Sequence, residues 1–196
     1  MSLPFSQACE NNKDPILAIL KSAFAKSSRI LEVGSGTGQH AVYFAPNLPH
    51  VIWQTSDLEI NHAGINQWID AEPSDNLQRP VVFDLSNPQW PGGFDGVYSA
   101  NTAHIVSWPL VQNLFREVGK HLPQGGIFAL YGPFNYGGKY TSDSNAAFDQ
   151  MLRERDPASG IRDFENVEAL ANECGLTLKE DCAMPANNRL LLWSKT

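Results

Sequence analysis

The segment Leu31-Glu32-Val33-Gly34-Ser35-Gly36-Thr37-Gly38-Gln39-His40-Ala41 constrains this chain more than any other. A short apolar run breaks into alternating glycines and resumes in a helical pattern, which reads as strand, tight loop, helix. Glycines suit such a loop because the chain must turn sharply at positive φ and let a ligand lie against bare backbone. The helix that follows offers unpaired N–H groups to a carboxylate or phosphate. The segment is therefore read as a nucleotide-binding loop.

Gly36-Thr37-Gly38-Gln39-His40-Ala41 also satisfies the G-x-G-x-x-G/A pattern of dinucleotide-binding folds. Glu32, two residues before Gly34, extends the match to E-x-G-x-G-x-G, the loop of class I S-adenosylmethionine (SAM) methyltransferases. A carboxylate there faces the cationic methionine end of SAM, whereas it would repel a pyrophosphate. Asp57 follows the apolar run Val51-Ile52-Trp53 at the distance where an acidic residue bonds the ribose hydroxyls of an adenosine. Val81-Val82-Phe83 ends in Asp84-Leu85, placing a third carboxylate toward an adenine amino group, and Phe94 to Ala100 runs to the polar tip Asn101. Taken singly, Asp57 or Asp84 could be a turn former or helix cap; the ordered set of four polar strand ends behind one glycine loop favours a binding site.

Strands are expected near 29–33, 51–56, 80–83, 95–99 and 126–131, alternating with helices, which implies a parallel sheet covered on both faces. Asp14-Pro15 reads as a helix start, with the helix running from Pro15 to Ala25. Further helices carry Ile65, Trp68 and Ile69; Leu110, Leu114, Val118 and Leu122; and Phe164, Val167, Leu170 and Cys174, the last ended by Gly175. Two strand-like runs, Leu176 to Ala183 and Arg189 to Trp193, are joined only by Met184-Pro185-Ala186-Asn187-Asn188, too short for anything but an antiparallel hairpin. The fold class expected is α/β: a Rossmann-like class I methyltransferase with a seven-stranded, mostly parallel sheet, an antiparallel last strand and helices on both faces. Residues 1–196 read as one SAM-dependent methyltransferase domain, with an N-terminal lid and helix at 1–28 and a substrate-side insertion at 133–163.

The chain is similar to the methyltransferase-like 26 family of class I SAM-dependent methyltransferases. The resemblance is carried by Glu10 to Leu17, Leu31 to Ala41, Trp53 to Asp57, Ala103-His104, Tyr131-Gly132-Pro133 and Met184 to Asn188. It implies a Rossmann-like sheet, SAM as ligand and S-adenosylhomocysteine (SAH) as product, and it leaves the methyl acceptor open. The family's amino-terminal Glu-Arg-Asn-Lys is altered here, since Asn11 replaces the arginine. Glu10 and Asn12 still match, and the segment before Asp14 resembles the lid that folds over SAM in related enzymes.

The expected cofactor-binding set is Glu10, Asn12, Glu32, Gly34, Ser35, Gly36, Gly38, Asp57, Leu58, Asp84, Leu85 and Asn101. His104 and Tyr131 are the catalytic candidates, His104 because a histidine of ordinary pKa accepts a proton near neutrality. A backbone-bonded structural histidine is the competing reading. Phe134, Asn135 and Tyr136, after the fifth strand, are the expected acceptor contacts. Lys139, Arg153, Arg155 and Arg162 lie nearby and either recognise an anion or pair with Asp149, Glu154, Asp156 and Asp163.

Fourteen basic against twenty-one acidic residues leave a net charge of −7, which argues against general nucleic-acid binding. No apolar run approaches the length of a membrane span, and a cytoplasmic enzyme acting on a small-molecule acceptor is expected. Three cysteines without a C-x-x-C and five scattered histidines give no disulfide framework and no metal site. Two other functions stay open: a non-catalytic protein that binds SAM or SAH, and an NAD(P)-dependent oxidoreductase. The oligomeric state is not indicated.

Overall fold

The computed structural model describes residues 2–196. In chain order the elements are α1 (Gln7–Ala23), β1 (Arg29–Glu32), α2 (Gln39–Asn47), β2 (Ile52–Asp57), α3 (His62–Ala71), β3 (Leu77–Val82), β4 (Gly96–Ala100), α4 (Trp108–His121) and β5 (Ile127–Gly132). They continue with β6 (Phe134–Asn135), α5 (Asp143–Arg155), β7 (Arg162–Asp163), α6 (Phe164–Glu173), β8 (Leu176–Met184) and β9 (Asn188–Lys195). Seven strands form one sheet in the order β3-β2-β1-β4-β5-β9-β8. β1 to β5 are mutually parallel, and β9 runs antiparallel to both β5 and β8. This is the Rossmann-like α/β arrangement expected from the sequence, a mostly parallel seven-stranded sheet closed by an antiparallel hairpin.

Alternating residues along each strand feed two cores, one on each sheet face. Ile30, Trp53, Tyr98, Ala129 and Leu190 meet α1, α2 and α3 through Ile16, Leu20, Phe44 and Ile65. On the other face Leu31, Val97, Phe128, Leu191 and Trp193 meet α4 and α6 through Leu114, Phe115, Val118 and Val167. The crossover from β3 to β4 carries no helix. Pro88, Pro91, Gly92 and Gly93 disfavour one, and Phe83, Leu85, Trp90 and Phe94 cover the sheet there instead.

Pro80 sits within β3, which is tolerated because β3 is an edge strand. The register with β2 slips beside it, and Gln54 Nε2 donates to Arg79 O at 2.7 Å across the irregularity.

The first helix departs from expectation. It begins at Gln7 rather than Pro15, capped by Ser6, whose Oγ accepts the Cys9 N–H. Asp14 is therefore not a cap; its carboxylate accepts the Tyr43 hydroxyl, and Pro15 lies inside the helix. Tertiary contacts at the helix start, described below, offset the backbone hydrogen bond that Pro15 cannot donate.

Between residues 133 and 163 the excursion contains α5 and a two-stranded parallel ribbon, β6 with β7. Polar composition hides α5 from an apolar-periodicity reading, although Ser142 caps it by accepting the Asn145 N–H at 3.0 Å. Asp149 in α5 pairs with Arg153, as the charge pattern allowed, whereas Arg162 donates to the carbonyls of Ala103 and Val106.

Candidate functional site

A cleft of about 390 Å³ opens over the carboxyl ends of β1, β2 and β4. β1 and β4 are the place where the strand order reverses direction, and open α/β sheets bind ligands at such a point. Its floor is the glycine loop. Gly34, Gly36 and Gly38 have φ of 73°, 61° and 93°. A Cβ added at Gly36 would project into open space, its nearest neighbour being Gly34 O at 4.0 Å, so the absent side chain leaves room in the cleft. Gly38 serves differently: a Cβ there would lie 3.1 Å from Ile65 Cα, so this glycine lets α2 start close against α3.

Glu32, at the tip of β1, borders the cleft and is only 2 % exposed. Its Oε1 has no hydrogen-bond partner among the described residues, and neither has the Trp53 indole N–H nearby. Burial lifts the Glu32 carboxyl to about 7, partly offset by Ser35 and Trp53 and reinforced by the Asp57 charge. A buried carboxyl with an unused oxygen beside a glycine cradle is suited to a cationic ligand group that supplies the missing donor.

Asp57 ends β2 and ties the loop together. Its Oδ2 accepts the Gly36 N–H at 2.8 Å, and its Oδ1 accepts Leu58 N–H at 2.7 Å and Asn61 Nδ2 at 2.8 Å. Leu58 and Asn61 border the cleft beside it. Asn101, just past β4, also borders the cleft with a non-glycine φ of 55° and donates its N–H to Tyr131 O at 3.0 Å. Backbone held in this sparsely populated region is a common feature of ligand sites.

The amino-terminal segment forms one wall, contributing Ser6 and Cys9. Gln39, in the first turn of α2, holds it there: Gln39 Oε1 accepts Ser6 N–H at 2.6 Å, and Gln39 Nε2 donates to Ser6 O and Glu10 Oε1. Trp68 Nε1 donates to Pro4 O at 2.6 Å. Beside this wall His40 borders the cleft, is buried, and bridges Tyr98 through Nδ1, at 3.0 Å, and Asn12 Oδ1 through Nε2, at 2.6 Å. Burial lowers His40 to about 4, so it is neutral at physiological pH, donating from Nε2 and accepting the Tyr98 hydroxyl at Nδ1. Sequence reasoning saw Gln39 and His40 only as filler in the glycine pattern; the signal for their role, Glu10 and Asn12 two residues apart, makes sense only once α1 is placed.

The cleft thus brings together Glu32, Gly34, Ser35, Gly36, Asp57, Leu58 and Asn101 from the expected cofactor set. Glu10 and Asn12 stand behind its wall, and Gly38 supports it from below. Asp84 is not among the lining residues. Its Oδ1 accepts the backbone and hydroxyl of Ser86 at 2.8 and 2.7 Å, which is a turn-forming role, and those bonds lower its pKa. Leu85 is buried in the core.

His104 is buried beneath the insertion, its ring against Phe148 and Gly132, and does not border the cleft. Burial and the Arg162 charge lower it to about 4, a weak base at neutral pH. Tyr131 is also buried; its phenol is raised by desolvation, with Asn12 and Asn188 lowering it. Phe134 is core, Asn135 is buried with no partner for Oδ1, and the Tyr136 hydroxyl donates to Asp181 at 2.7 Å. Thr102 and Ile105, which sequence reasoning did not single out, do border the cleft.

The sequence pattern of the family described as "Protein of unknown function (DUF938)" matches residues 3–195. The chain belongs to the DUF938 family. Among solved structures, this DUF938 member is similar to the SAM-dependent methyltransferase SibL in its apo form, with a TM-score of 0.81 and 22 % identity over 96 % of this chain and 55 % of that one. It is also similar to human N-acetylserotonin methyltransferase in complex with SAM, at TM-score 0.79, 13 % identity, and 96 % and 53 % coverage. A third is an O-methyltransferase family 2 protein from Planctomyces limnophilus in complex with apigenin, at TM-score 0.78, 15 % identity, and 95 % and 62 % coverage. The chain therefore spans little more than half the length of these structures, and at such identities the likeness is one of fold. No helix among the described residues is long and apolar enough to cross a membrane.

Proposed function

We propose that this DUF938 protein is a SAM-dependent methyltransferase acting on a small-molecule acceptor, with SAM bound in the cleft over β1, β2 and β4. The observation that carries the proposal is Glu32, a buried carboxyl with an unsatisfied oxygen on a residue that borders the cleft with Gly34 and Gly36. Glu32 would accept from the ammonium of SAM's methionine end, whereas it would repel the pyrophosphate of a dinucleotide. Asp57, already fixed by three donors, presents its remaining lone pairs to ribose hydroxyls, and the room at Gly36 admits the ligand against backbone.

When bound, SAM supplies a methyl group on a sulfonium sulfur that is displaced in line by the acceptor. What this chain contributes is placement and exclusion of water. Gln39, through Ser6 and Glu10, holds the amino-terminal wall against the loop, and the His40–Asn12 bond keeps α1 from sliding away. With His104 buried outside the cleft and weakly basic, positioning rather than proton abstraction by that residue is the mechanism favoured.

Residues 1–196 are read as one domain, with 1–28 as lid and helix and 133–163 as the substrate-side insertion. The resemblance of the Glu10 to Leu17 and Met184 to Asn188 segments to the methyltransferase-like 26 pattern supports extending the assignment to that family. The test is to titrate SAM, SAH and NAD separately while following melting temperature and calorimetric heat. SAM and SAH should each raise the melting temperature and NAD should not; stabilisation by NAD alone would reverse the assignment.

A further inference from the structure

The motif Met184-Pro185-Ala186-Asn187-Asn188 has no part in the cofactor cleft, and the structure shows what it builds. A second cleft of about 400 Å³ lies between the β8–β9 turn and the start of the insertion. Tyr136 and Thr141 form its insertion side, and Met184, Asn187, Asn188 and Arg189 its hairpin side. Ala186 and Asn187 both have φ of 57°, and Asn145 of α5 donates to Asn187 O at 3.2 Å, so the turn is held in a left-handed form from the insertion. Non-glycine residues adopt this form at a cost of about 1 kcal/mol each, which a plain hairpin turn avoids by placing glycine there.

Arg189 is the cation of this cleft. Its Nε donates to Asp181 Oδ1 at 2.7 Å and its Nη2 to Asp181 O at 3.2 Å, while the Tyr136 hydroxyl holds the other Asp181 oxygen. These bonds fix the guanidinium plane from behind. Asp181 does not border the cleft, and Nη1 has no acceptor among the described residues. Asn187 and Met184 line the cleft with this guanidinium, while Asn188 Nδ2 is engaged within the turn, donating to Pro185 O at 3.1 Å and Ala186 O at 3.5 Å.

Tyr131 connects residues of the second cleft to residues around the cofactor cleft, for Asn12 beside it bonds His40, which borders the cofactor cleft. On β5, Tyr131 is paired in register with Ala100, which borders the cofactor cleft, and its phenol neighbours both Asn12 of α1 and Asn188 of the second cleft.

We propose that the second cleft is the acceptor subsite and takes a small carboxylate-bearing molecule, with its carboxylate on Arg189 and the amide of Asn187 and its apolar body on Met184. A guanidinium edge already oriented by a carboxylate behind it binds a second, incoming carboxylate with paired charge-assisted hydrogen bonds. This inference rests on the methyltransferase reading for the word acceptor, while binding of a carboxylate can be tested without it.

The experiment uses benzoate as probe and benzamide as its uncharged counterpart, added to isotope-labelled protein saturated with SAH and followed by NMR. Benzoate should shift the signals of Tyr136, Asn187 and Asn188 with a dissociation constant of about 1 mM, and benzamide should bind at least about tenfold more weakly. Arg189→Gln should weaken benzoate by about tenfold or more with SAH affinity unchanged. Asn187→Gly keeps the left-handed turn while removing one amide, and should weaken benzoate several-fold in a protein of undiminished melting temperature. Absence of benzoate shifts, shifts elsewhere, or equal binding of benzamide would overturn the proposal. If SAH itself fails to bind, the methyltransferase reading falls, and the benzoate titration of the free protein still decides the second cleft.

Discussion

Replacing Glu32 with Gln separates the electrostatics of the cleft from its shape. The carboxyl is 2 % exposed and is lifted from 4.5 to about 7 by burial, so no solvent screening reduces the effect. Between these two values the folded protein keeps a proton that the unfolded chain has released. Folded protein binds more protons there, so this group makes stability fall as pH rises, by about 3 kcal/mol in all once pH passes the folded value. His40 and His104, both lowered from 6.5 to about 4, act in the opposite sense: the unfolded chain binds more protons, and stability falls as pH drops below 6.5.

The wild-type curve mixes these contributions, whereas the difference between Glu32→Gln and wild type isolates the carboxyl. Urea unfolding at intervals from about pH 5 to pH 8 should show the variant gaining on the wild type by about 2.5 kcal/mol, or roughly 5 to 10 °C in melting temperature for a chain of this size. The same variant should bind SAH about ten- to a hundredfold more weakly at high pH, having lost a charge-assisted bond. Wild-type affinity for SAH should itself fall as pH drops below 7, because the carboxyl must ionise to meet the ligand's ammonium. Parallel stability curves, or undiminished affinity in the variant, would refute the reasoning.

Gly36→Val should remain folded, as circular dichroism would show, yet lose SAH binding by more than about a hundredfold in calorimetry, since the side chain enters the cleft at a φ that β-branched residues avoid. Gln39→Ala should free the amino-terminal wall: hydrogen exchange of residues 4–12 should quicken and stability fall by about 1–3 kcal/mol, because buried donors and acceptors lose their partner. His104→Gln should lessen the loss of stability on acidification from about pH 6.5 to pH 4, read by thermal melts, and should leave SAH affinity unchanged. Once an acceptor is known, the turnover of that variant against pH decides between a structural histidine and a base.

The loop Leu31 to Ala41, the five parallel strands and the closing hairpin were legible because each is a local pattern with a local cause. Positive φ requires glycine at 34, 36 and 38, apolar runs mark buried strands, and a five-residue connection permits only an antiparallel return. α5 was not legible, since its polar residues carry no apolar stripe and only the Ser142 cap announces it. The start of α1 was misread for a different reason. Asp14-Pro15 is a good local start signal, but Gln39 and Trp68, far along the chain, fix the segment before it, and tertiary bonds outweigh one missing helical bond.

The candidate site divides in the same way. Sequence alone named Glu32, Gly34, Gly36, Asp57 and Asn101, because residues at consecutive strand tips of a parallel sheet must meet along one edge. It could not tell that Asp84 is spent on Ser86 or that His104 turns beneath the insertion, since both depend on which side of the chain a tip faces. Nor could it give the protonation of Glu32, the coupling of His40 to Asn12, or the second cleft around Arg189. Those follow from burial and from contacts between residues distant in sequence, and desolvation and long-range contact exist only when the chain is folded.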